Sequence, residues 1–142
     1  MRTATTFAAL LAAALSVSTG AAAATLKPPV VHEVFTPLQC PMHPQTTIAL
    51  EGCTEQAILA SDRQIDARAK AIFGLLRTTS ARRTFVQSER EWLRYRNTSC
   101  AAQASLAVGG TLDPVEVASC DAARNRTHVT DLTAMEHALR SP

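Results

Sequence analysis

Four cysteines constrain this chain more than any other feature: Cys40, Cys53, Cys100 and Cys120. Their number is even, and all four lie beyond an N-terminus built like an export leader. Two disulfides are therefore expected in place of free thiols. The leader reading rests on Arg2, an apolar run from Phe7 to Val17, and the small residues Ala21 to Ala24. That run is too short to span a bilayer as a helix. Cleavage is expected after Ala24, with no cysteine at the cut to take a lipid. These features predict a secreted or periplasmic protein without a membrane anchor. Residues 25–142 are enough for one domain with one core.

Charge excludes two classes of partner. The chain carries 14 Lys and Arg against 12 Asp and Glu, a net charge of +2 with histidines neutral. Such a balance makes no strong field for nucleic acid or for an anionic membrane.

Three segments follow the leader. Residues 25–47 contain Pro28, Pro29, Pro37, Pro41 and Pro44. Proline lacks a backbone donor and fixes φ, so this part reads as an extended arm. Residues 48–142 read as a helical domain. Ile58, Ile65, Ala69, Ile72 and Leu76 recur at helical spacing, with Asp62 on the same stripe, and predict a helix over about 49–77. Thr78-Thr79-Ser80 breaks it, with Ser80 as the expected cap of the next helix. That helix is expected over about 81–105, with Phe85, Trp92 and Tyr95 on its inner stripe. Asp113, Pro114 and Glu116 form a helix start with a capping box, and the third stripe passes through Leu132 to the C-terminus. The expected fold is all-α: a small three-helix bundle stapled by two disulfides, with a core of Ile65, Ile72, Phe85, Trp92, Tyr95 and Leu132.

Counting outward from the turns sets the register. Asp62 and Arg96 are equally far from a turn centred near residue 79, so an antiparallel hairpin places them at one level. An unpaired carboxylate on an apolar stripe is costly, and Arg suits a bidentate partner, so a structural Asp62–Arg96 pair is expected. Cys100 and Cys120 face each other across the second turn by the same count, leaving Cys40 with Cys53. The rival connectivity, Cys53–Cys100 with Cys40–Cys120, stays open, because sequence does not settle pairing.

Little points to catalysis. His32, His43, His128 and His137 fall in no nucleophile or metalloprotease motif, so no enzyme and no cofactor are expected. His128 and His137 read as surface or core-edge side chains. Cys40-Pro41-Met42-His43-Pro44 offers soft ligands for copper through Cys40, Met42 and His43. It is similar to the opening of a small heavy-metal-binding domain, but the second cysteine motif of that domain is missing. Gly109-Gly110 reads as a chain reversal. Arginines 77, 82, 83, 90, 94 and 96 make one stretch locally basic, and Arg90, Arg94, Gly109 and Gly110 are the candidate contacts for a partner.

Cys53, Asp62, Glu91-Trp92-Leu93-x-Tyr95-Arg96-x-x-x-Cys100, Gly109-Gly110-Thr111 and Cys120, in that order and spacing, resemble the LprI-like lysozyme-inhibitor family over about residues 50–135. The resemblance implies an exported helical domain with disulfides that binds a lysozyme-like glycosidase. An envelope interaction module without lysozyme activity is the alternative. Two positions depart from the family's habit: Asn125 stands where a Thr is usual and His128 where an Arg is usual. Neither change is expected to touch the scaffold.

Overall fold

The computed structural model describes residues 25–33, 35–107 and 113–141. The expected leader, and Gly109 and Gly110, lie outside them. Within the described residues the fold is all-α: α1 (Thr47–Leu75), α2 (Thr79–Ala104), a 3-10 turn (Ser105–Ala107) and α3 (Asp113–Arg140).

Local chemistry explains the boundaries. Thr46 caps α1, its hydroxyl accepting from the Ala49 amide at 3.2 Å. Thr78, not Ser80, caps α2 and accepts from the Ala81 amide at 3.1 Å. The helix therefore starts two residues earlier than its composition suggests. Arg82 closes the α1–α2 corner. Its Nε donates to the carbonyls of Phe73 and Leu76, which the end of α1 leaves without helical partners. In α3, Asp113 and Glu116 lie in the first turn and His137 and Arg140 in the last, each sign opposing the helix dipole.

Both disulfides form as the counting predicts, Cys40–Cys53 with Cα atoms 4.5 Å apart and Cys100–Cys120 with 5.6 Å. The main core gathers Ile65, Ala69, Ile72 and Phe73 from α1, Phe85 and Val86 from α2, and Leu132 from α3. A second cluster joins Ile58 of α1 to Ala118 and Ala122 of α3.

The helices do not pair as the hairpin count assumed. α1 and α3 run closely side by side, whereas α2 meets α3 less extensively and hardly approaches α1 at the backbone. Ala69, Ala118 and Ala122 leave room for close approach, while α2 presents Phe85, Glu89 and Arg96 inward and stands off. The proline-rich arm uses the space. It is extended as expected, but Leu26 and Val31 pack on the main core and Phe35 on the second cluster. The arm is also held by polar contacts: the Leu38 amide donates to Glu55 at 2.8 Å, and Gln56 donates to the Leu38 carbonyl at 3.0 Å. Gly52 is what lets the arm lie so near α1. A Cβ there would sit 2.5 Å from the Gln39 carbonyl oxygen and 2.9 Å from the Leu38 Cβ.

Two expected core residues are corrected. Tyr95 is 54% exposed. The inward positions of α2 are Phe85, Val86, Glu89, Arg96, Cys100 and Ala104. That stripe turns Tyr95 outward, where the Arg124 guanidinium covers its ring at 5.5 Å. Trp92 is half-buried at the core's edge, because the inward arc centres near Glu89 and Arg96, which both lie to one side of it around the helix. Its ring stacks on His128 with centroids 3.7 Å apart and planes 9° apart.

Candidate functional site

The best-ordered chemistry in the molecule is inside it. Arg96 of α2 is only 2% exposed. Its neighbours come from every other part of the fold. Nη2 meets the Glu33 carboxylate of the arm. Nη1 donates to Asn125 Oδ1 of α3 at 3.0 Å and lies 3.6 Å from Asp62 Oδ1 of α1. Nε donates to Asn97 Oδ1 at 2.9 Å and lies 3.7 Å from Asp121 Oδ1. Asn125 is fully buried and completes the link, its Nδ2 donating to Asp62 Oδ1 at 2.8 Å and to Ser61 Oγ at 2.9 Å.

Asp62 and Arg96 thus come within 3.6 Å although α1 and α2 do not form the close hairpin that the count assumed, and they are not a private bidentate pair. Asn125 makes the shorter bonds to both, and Glu33 takes the outer guanidinium nitrogen. Three carboxylates share one guanidinium, and two buried oxygens, Asp62 Oδ2 and Asp121 Oδ1, have no hydrogen-bond partner among the described residues. The excess of acid over base shows in Asp62, whose pKa is pushed up to about 6. Burial is the largest cause and the charge of Glu33 the next; Arg96 and the Asn125 bond pull the other way. Burial likewise raises Asp121.

Two turns away along α2, Glu89 Oε2 lies 2.9 Å from His128 Nε2 and accepts from it in the tautomer that carries hydrogen there; both side chains are buried. Asn125 and His128, the two departures from the family's habit, therefore sit in the scaffold, against expectation. Both lie on the inner arc of α3 with Cys120, Ala122 and Leu132. Asn125 was not legible from Cys120, because five residues turn a helix by about 140°; it is inward three residues after Ala122. Glu33 carried no signal, since alternation along an extended arm does not name the distant residue it meets.

The outer surface is simpler. Arg83, Arg90 and Arg94 are exposed on α2 at spacings of seven and four, which places them on one face. Arg94 is bonded to Glu91. Arg90 has no ion-pair partner among the described residues, and it borders hollows formed with Pro29 and Val30 of the arm. The copper alternative loses its thiolate, because the Cys40 sulfur is bonded to Cys53. Met42 is 92% exposed beside it, and the described residues hold no group of three or more His, Cys, Asp or Glu placed to share a metal. No described helix is long and apolar enough to cross a membrane.

These features define a small helical module whose buried polar groups gather mainly around Arg96 and whose α2 carries a row of exposed arginines. The family model described as Lysozyme inhibitor LprI matches residues 40–132, from the first cysteine to the core residue Leu132. The chain belongs to this family, one of inhibitors and not of catalysts. No curated protein and no solved structure matches the chain.

Proposed function

We propose that the protein is exported through a cleaved leader and binds a lysozyme-type glycosidase without covalent chemistry, slowing it. The observation that carries this reading is the match to the lysozyme-inhibitor family over residues 40–132. The α2 face with Arg90 and Arg94, or else the Gly109-Gly110 segment, is the proposed contact. Glycosidase clefts hold a pair of carboxylates that exposed guanidinium groups complement. The disulfides suit an oxidising compartment outside the cytoplasm.

The test is a cell-wall lysis assay with animal-type and bacterial-type lysozymes and the purified domain. Inhibition is expected to weaken as salt rises, because screening acts over about 8–10 Å at ordinary ionic strength. Reversing Arg90 and Arg94 to Glu is expected to reduce inhibition while the circular dichroism spectrum stays unchanged. Full lysozyme activity at saturating protein would instead leave an envelope interaction module of another specificity.

A further inference from the structure

We propose that residues 25–33 form a pH-gated strap, shut over the groove between α1 and α2 while the buried Arg96 cluster holds an extra proton and loosened as that proton leaves. This device goes beyond the lysozyme reading and does not depend on it. The strap precedes the family-matched residues 40–132. Its hold on the body is slight. The Val31 amide donates to Asp66 Oδ1 at 2.7 Å, Glu33 meets Arg96, and Leu26 and Val31 make partly buried apolar contacts. Beneath it lie Ile65 and Ala69 of α1 and Leu93 of α2, which bound an incompletely filled hollow with Pro29 and Val30.

Glu33 is both the strap's ionic anchor and the third carboxylate on a single guanidinium. The charged groups around Asp62 come from each packed element: Glu33 from the strap, Asp66 from α1, Arg96 from α2 and Asp121 from α3. Farther along, Glu89 and His128 are engaged with each other. With Asp62 and Asp121 both ionised, the body already holds more negative charge than Arg96 neutralises before Glu33 arrives. A proton on Asp62 removes one repulsion and discharges its buried, unpartnered Oδ2. The charge of Glu33 raises the proton affinity of Asp62, whose pKa is about 6. Linkage is reciprocal, so a proton on Asp62 tightens the strap by the same factor. Asp66 acts in the opposite sense, because its ionised carboxylate accepts from Val31; burial raises its pKa also.

The experiment is amide exchange by NMR on the full mature chain between pH 5 and pH 8. Protection of the Val31 amide, taken relative to the intrinsic rate at each pH, is expected to fall about fivefold or more across the window, the lower end of ordinary coupling. Glu33→Gln is expected to flatten that dependence and to lower the titration midpoint of the Asp62 carboxyl carbon. Asp62→Asn is expected to keep Val31 as protected at pH 8 as the parent is at pH 5. If Asp62→Asn fails to fold, Glu33→Gln decides. Val31 protection that is flat in the parent chain overturns the proposal. So does a pH dependence that survives unchanged in Glu33→Gln.

Discussion

At the scale of single residues, Arg96 is the side chain the fold can least lose. Its removal strands three carboxylates, two of them deep in the body. Arg96→Ala is expected to destabilise by about 3–5 kcal/mol, as breaking a buried pair does, measured by urea unfolding. Tyr95→Ala, at an exposed ring, is expected to stay within about 0.5 kcal/mol in the same assay. Asp62 also predicts an unusual pH profile. It binds its proton more tightly folded than unfolded, so its contribution is full below pH ~4 and is lost as pH rises through about 6. The shift sets an upper bound of about 3 kcal/mol on that loss. Glu136 works oppositely: hydrogen bonds from Arg68 and Arg140 hold its carboxyl below the usual range, so its contribution disappears as pH falls. Parent stability is expected to rise between pH 7 and pH 5, and Asp62→Asn is expected to remove that rise. A parent profile that is flat or falls toward pH 5 would contradict the burial cost assigned to Asp62.

At the scale of elements, small residues decide which helices touch. Ala122 is 3% exposed, in the α1–α3 contact that also contains Ile58. Ala122→Leu is expected to cost about 1–3 kcal/mol by overpacking and to push α3 away from α1. Gly52→Ala is expected to be destabilising for a different reason. Its new Cβ meets arm backbone at Gln39, which the adjacent Cys40–Cys53 bridge cannot let retreat freely. The matching Gly74→Ala has open space and gains helix propensity, so it is expected to be neutral or stabilising. Thermal melts of the two variants side by side check both statements. The helices themselves were legible in the sequence to within a few residues, since apolar spacing reports a helix whatever it packs against. The Thr78 cap was not, because three adjacent hydroxyl residues can each serve and only the path of the chain selects one.

At the scale of the molecule, the bundle is closed by staples and by its own N-terminal arm. Each disulfide is expected to contribute on the order of 3 kcal/mol by restricting the unfolded chain. Peptide mapping without reduction should return Cys40–Cys53 and Cys100–Cys120 as linked pairs; a Cys53–Cys100 peptide would refute the helix register. The arm does more than tether. It fills a gap that three helices of this composition leave between α1 and α2, and it brings Glu33 to Arg96.

The sequence alone determined the all-α class and the helix extents, and favoured the disulfide pairing that forms, because each rests on spacing along one chain. Tertiary structure alone decided that α1 pairs with α3, that Tyr95 faces outward and Trp92 lies at the edge, that Asn125 and His128 are buried, and that the arm belongs to the core. Those outcomes depend on which surfaces meet. A helix's period limits which of its residues can be inward, but the width of the inward arc depends on the bulk of its neighbours. An extended arm alternates its side chains but does not say which groove will receive them, so its partner is set only once that groove exists.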